Sequence, residues 1–242
     1  MPDSFKPTIV LRQERFALTQ GATGGAPEEH TLPCVELCFD YAGLSVPCDQ
    51  QGERCYLASG SSLRAVERDL MAERSARLAL ESHGCVELAC LPDHEPDLDS
   101  RAHYLLGAER DEQAFCAFSA RGLPALVAQG WGVEIEEGYP YGQLTEATRW
   151  FAELDGPGAG AGASKQWFEL ALGIELAGGR IDLVPVLLQM LRDASGQPTL
   201  RAIARGAVRP AFVRLPGRAW LPIDAERLRT LWGVLLELYE GL

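Results

Sequence analysis

The sequence predicts an α+β fold, with antiparallel sheets and packed amphipathic helices, in two subdomains spanning 1–140 and 141–242. Three observations predict it. The first is the stretch Trp167 to Leu191, WFELALGIELAGGRIDLVPVLLQML. Phe168, Leu170, Leu172, Ile174 and Leu176 are apolar at every second position, the pattern of a strand with one buried face. Gly178-Gly179 supplies a tight reversal into a short return. Asp182 then caps a helix that tolerates Pro185 in its first turn and buries Val184, Leu187, Leu188 and Leu191. The second observation is the C-terminal periodicity. Leu228, Leu231, Trp232, Leu235, Leu238 and Tyr239 follow an i, i+3, i+4 stripe behind the capping residue Asp224. The third is charge. Met1 to Gly142 carries 11 Lys/Arg against 23 Asp/Glu, a balance of −12, whereas Gln143 to Leu242 carries 11 against 11 and is neutral. The division between subdomains is expected near Gly138 to Gly142.

Taken in order, Thr8 to Leu11 reads as a short strand and Gln20 to His30 as a Gly/Ala/Glu-rich loop. Cys34 to Tyr41 alternates as a strand. Gly43 and Pro47-Cys48-Asp49 punctuate a hairpin, with Cys55 to Ala58 as its continuation. Ser62 to His83 reads as one helix, with Leu63, Val66, Leu70, Met71 and Leu78 on its buried side and Gly84 as its C-terminal cap. On that reading Arg64, Arg68, Arg74 and Arg77, interleaved with Glu67, Asp69, Glu73 and Glu81, form a salt-bridged solvent face. Acidic Asp93 to Asp99 reads as a solvated loop. Glu109 to Ala120 is a second helix with Phe115 and Phe118 on one face. A third, Leu123 to Gln129, starts at Pro124 and stops at Gly130. Trp131, Val133 and Ile135 alternate as a strand, as do Trp150, Ala152 and Leu154 within Thr145 to Leu154. The segment GPGAGAGAS, Gly156 to Ser164, is a flexible connection between antiparallel strands. Ala211 to Leu215 and Ala219 to Ile223 form a hairpin around Pro216-Gly217-Arg218.

Composition bounds the function. No apolar run approaches the ~20 residues that cross a bilayer, and the N-terminus lacks an apolar signal core. A cytoplasmic protein with no membrane partner is expected. Seven cysteines, an odd number, argue for reduced thiols. Cys34, Cys38, Cys48 and Cys55 are enough thiolates for a zinc site. However, structural zinc sites use tight CxxC knuckles and the chain has none, so these are expected as core thiols, and no metal ligand is assigned. Cys85, Cys90 and His94 make a weaker set still. The Gly-rich segment is not a phosphate loop, because Lys165 is followed by Gln166 and a strand. Gly60-Ser61-Ser62-Leu63 is not a nucleophile elbow. No catalytic residue is assigned, which leaves the question of an enzyme open.

Two non-catalytic surfaces remain. The net charge of −12 argues against nucleic-acid binding by the whole surface. Between Asp193 and Asp224, however, there is no acidic residue, and Arg201, Arg205, Arg209, Arg214 and Arg218 give that run +5. Arginine suits phosphate contact, so duplex DNA is the expected partner there. The alternative is a protein-interaction module that docks through Leu228, Leu231, Trp232, Leu235 and Tyr239 of the terminal helix.

The order of motifs over most of the chain resembles the N-terminal accessory, helicase-associated region of bacterial Swi/Snf-type DEAD/DEAH-box ATP-dependent DNA helicases. The resemblance rests on Phe39-Asp40-Tyr41, Arg68-Asp69 with Glu73, Leu123-Pro124 with Leu126, and Gly130-Trp131-x-Val133. Its most specific part runs from Trp167-Phe168 to Gly173-Ile174, and through Ile181-Asp182-Leu183-Val184-Pro185 with Leu187-Leu188. Leu215-Pro216, Gly217-Arg218, Leu221-Pro222-Ile223 and Arg227-Leu228 complete it. It implies a non-catalytic module that positions or regulates a translocase motor on DNA, with the helicase core present in cis or in trans. The chain carries no P-loop GK[ST] and no DEAD/DEAH box. No cofactor is therefore expected on it, and ATP and Mg belong only to the core the resemblance places elsewhere.

Overall fold

The structure, a computed structural model, describes residues 5–19, 27–59, 62–107, 111–145, 147, 149–155, 169–176, 179–187, 211–217, 219–224, 226–227 and 229–231. They form an α+β fold in which antiparallel pairing dominates. The chain separates into two compact units, Met1–Gly142 and Gln143–Leu242. Among the described residues no helix is long and apolar enough to cross a membrane.

The first unit is built on two long strands, β1 (Phe5–Leu18) and β2 (Glu28–Tyr41), paired antiparallel from Phe5 opposite Tyr41 to Leu18 opposite Glu28. Both are longer than the expected Thr8–Leu11 and Cys34–Tyr41, because each supplies pairing for the other where its own alternation weakens. β2 turns into β3 (Leu44–Pro47) through Ala42-Gly43. Both turn residues have positive φ, 52° and 85°, as a two-residue hairpin with the strand's own twist requires. Asp40 Oδ1 accepts the Gly43 N–H at 3.0 Å.

The expected continuation of that hairpin into Cys55–Ala58 is not observed. β4 (Arg54–Ser59) pairs instead with β5 (Ser62–Glu67) as a separate two-stranded sheet. The single helix expected over 62–83 is therefore corrected to a strand followed by α1 (Leu70–Ser82). Asp69 caps α1 by accepting the Ala72 N–H at 2.9 Å. Its buried face is Glu73, Ala76 and Leu80, while Leu63, Met71 and Leu78 are exposed.

The physical reason lies in one buried ion pair. The Arg68 and Glu73 side chains are each only 3% exposed. Arg68 Nε and Nη2 donate to the two Glu73 carboxylate oxygens at 2.9 and 2.6 Å, and Arg68 Nη1 donates to the carbonyls of Gln50 and Gly52. The Tyr41 hydroxyl donates to Glu73 at 2.7 Å and accepts the Asp69 N–H at 2.8 Å. A carboxylate so fully satisfied can occupy a core position, which turns the helix away from its expected apolar stripe. The expected solvent face thus holds a buried fastener.

The chain continues through β6 (Cys85–Glu87), a 3-10 turn (Leu88–Cys90), β7 (His94–Pro96) and β8 (Tyr104–Leu106). α2 (Glu112–Ala117) runs through a π-helical segment (Phe118–Gly122) directly into α3 (Leu123–Ala128). The two helices expected there are joined without a break, and Pro124, which has no N–H to donate, falls in the first turn of α3 directly after the π-helical segment. β9 (Gly132–Ile135) then pairs parallel with β1, opposite Thr8–Leu11. The seven-stranded sheet runs β6-β8-β2-β1-β7, with β3 beside β2 and β9 beside β1. One of its cores gathers Phe16, Leu32, Cys34 and Leu105. A second enclosed charge, Arg12, pairs with Glu36 and with Glu136 at 3.1 Å.

The second unit has a three-stranded sheet, β10 (Arg149–Asp155), β11 (Glu169–Leu176) and β12 (Gly179–Asp182), and a hairpin of β13 (Ala211–Arg214) and β14 (Trp220–Ile223). The period-two reading of β11 holds where it is described. Leu172 and Ile174 are buried with Leu183, Leu187, Val213, Leu215, Leu221 and Ile223 in one apolar cluster, against which Leu176 packs. Each such buried aliphatic contributes about 1.5–3 kcal/mol. Asp182 Oδ1 accepts the Val184 N–H at 2.9 Å and starts the helical residues 184–187. Asp224 does the same for Glu226 at 2.8 Å. Gly173 has no room for a side chain, because a Cβ would meet the Ile181 carbonyl and the Phe151 ring. Phe168, Leu188, Leu191 and the 156–164 connection lie outside the described residues.

Candidate functional site

An open cleft in the first unit gathers titratable side chains from four separated segments. Cys48, Asp49 and Gln51 follow β3, Arg77 comes from α1, residues 87–96 cross the 3-10 turn to β7, and Ala102-His103 lead into β8. Its volume, about 650 Å³, lies within the range that holds small organic ligands.

His103 is the best-positioned group in it. The Leu37 N–H of β2 donates to His103 Nδ1 at 3.0 Å, which assigns the ring proton to Nε2. Nε2 lies 3.6 Å from Asp49 Oδ1. Burial lowers the His103 pKa below 6.5, and Arg77 adds to this, against the opposing pull of Asp49 and Glu36. The same geometry gives a second reason for the neutral form. A doubly protonated ring would turn an N–H toward the Leu37 N–H. His103 is therefore a fixed donor, with the lone pair a general base would need already engaged.

Arg77 is also committed. One guanidinium nitrogen donates to the Cys48 carbonyl and another lies 3.2 Å from Glu87 Oε1. The Cys48 thiol is buried and its pKa is pushed up to about 12 by desolvation, so it is no nucleophile near neutral pH. Cys34, Cys85 and Cys116 are raised for the same reason. Among the described residues no group of three or more His, Cys, Asp or Glu is placed to hold a metal ion. His94 Nδ1, in the cleft wall, is buried without a hydrogen-bond partner.

Of the residues expected at the two surfaces, the structure describes Arg214 and Leu231. Arg214 is exposed on β13, and its guanidinium carbon lies 6.0 Å from the centroid of the Trp220 ring. Arg201, Arg205, Arg209 and Arg218 lie outside the described residues. Leu231 is half-buried and packs against the apolar cluster of its own unit, whereas Leu228, Trp232, Leu235 and Tyr239 also lie outside the described residues. Sequence reasoning gave Asp49 only a turn and Arg77 only a solvent-face ion pair, and did not single out Glu87 or His103. No local spacing relates them, and the partner that orients His103 is a backbone amide of β2, which leaves no mark in the residue types.

Set beside known proteins, the chain matches no family model, no curated protein and no solved structure.

Proposed function

We propose that the chain is a non-catalytic accessory region of a bacterial Swi/Snf-like ATP-dependent DNA translocase, and that its second unit contacts duplex DNA. The observation that carries the reading is electrostatic. The unit Gln143–Leu242 is neutral overall, yet it holds the acid-free run with five arginines, and Arg214 of that run is exposed. Exposed Arg227 and Arg229 lie on the same unit. The first unit, at −12, repels a polyanion. The ATP-hydrolysing core of such a translocase is not encoded in these residues, which contain no P-loop GK[ST].

The test is fluorescence anisotropy of a labelled DNA duplex at two salt concentrations. Binding is expected to fall steeply with salt. Arg214→Glu with Arg218→Glu should weaken it and lower the slope of log affinity against log salt by about two. No binding at low salt, or unchanged affinity in the double variant, overturns the reading.

A further inference from the structure

The cleft of the first unit carries chemistry that contact with DNA does not use. We propose that it binds a small organic cation, an alkylamine or guanidinium compound, with Asp49 and Glu95 as counter-charges and the apolar wall of Leu88, Leu91 and Pro96 against the carbon chain. Charge balance decides the sign of the ligand. The one arginine in the lining, Arg77, is spent on the Cys48 carbonyl and Glu87. Asp49, 73% exposed, and Glu95, also exposed, remain at the mouth.

His103 does not neutralise Asp49. It is held in its uncharged form by the Leu37 N–H, and 3.6 Å to Asp49 is too long for a good hydrogen bond, so the carboxylate keeps its acceptor capacity. The surrounding unit, at −12, draws cations toward this mouth and turns anions away.

The experiment is calorimetric titration of the full chain with agmatine, which carries an amine and a guanidinium on a short alkyl chain, and with butyrate as the anionic control. Agmatine should bind saturably at one site and butyrate should not. Asp49→Asn should weaken agmatine about threefold to fivefold, the worth of one charged contact at a solvent-exposed carboxylate. Glu29→Gln, an exposed carboxylate of the same unit outside the cleft, should change affinity less than about twofold, because a distant surface charge is screened. If Asp49→Asn does not melt cooperatively, Glu95→Gln carries the same expectation. No saturable agmatine binding, or equal losses in the cleft variants and Glu29→Gln, overturns the proposal. Neither result bears on DNA binding by the second unit, so the two readings fail separately.

Discussion

In the first unit, Arg68 and Glu73 face each other with their side chains sealed from water. In the second, Arg180 lies 3.0 Å from both Glu153 and Glu175 on the outer face of a sheet, with more than half its side chain exposed. Both are arginine–glutamate contacts of good geometry. The first sits between a strand residue, Tyr41, and two loop carbonyls, and every polar atom it presents is used. The second rests its guanidinium on the Phe151 ring, 4.7 Å from the centroid, above a core that is apolar throughout its described cluster. Among the described residues the buried charged side chains, Arg12, Arg68 and Glu73, belong to the first unit. Burial makes an ion pair specify structure, because one partner alone in a dry interior is costly. Water makes the same pair nearly dispensable. The first unit therefore uses charge to define its fold, and the second leaves it at the surface where a partner can reach it.

The largest effect expected from that contrast is on Glu73. Glu73→Gln keeps the shape and leaves the Arg68 charge buried without a counter-ion, so about 3 kcal/mol or more of unfolding free energy should be lost, read by urea denaturation. A loss too small to measure would mean that the pair does not specify α1.

The middle effect is a pH dependence confined to the first unit. His103 has a folded pKa below its ordinary 6.5, so between those two values the unfolded chain binds a proton that the folded chain refuses. Stability is then full above 6.5 and falls as pH drops through that window, by at most about 1.4 kcal/mol per pH unit. Stability curves of the parent and of His103→Gln should converge in slope above 6.5 and diverge below it. Parallel curves would place His103 in water.

The smallest effect sharpens the comparison from the other side. Arg180→Ala should leave the unfolding midpoint unchanged at moderate salt, because the arginine and Glu153 are more than half exposed and Glu175 is part-exposed. A shift comparable to that of Glu73→Gln would erase the distinction between the units.

The parts of the fold that were legible are those whose signal is local. In β11 the alternation of Leu172, Ile174 and Leu176 is a property of the strand itself, and Gly179, Asp182, Pro216-Gly217 and Asp224 carry turn and cap chemistry within a few residues. The error at residues 62–83 has the opposite cause. Ser62–Glu67 is a strand only because Arg54–Ser59 lies beside it, and α1 turns Glu73 inward only because Arg68, Tyr41 and two loop carbonyls meet it there. The cleft was illegible for the same reason, since its groups arrive from four segments and one of them is oriented by a backbone amide.

The sequence by itself determined the α+β class, the second unit's hairpins and caps, and the uneven distribution of charge, because periodicity, turn residues and net charge are additive along the chain. Only the tertiary structure decided which charges are buried, where α1 begins, and that Asp49, Arg77, Glu87 and His103 share one cleft. Those outcomes depend on desolvation and on pairings between residues far apart in sequence, whose energies exist only once the partners have met.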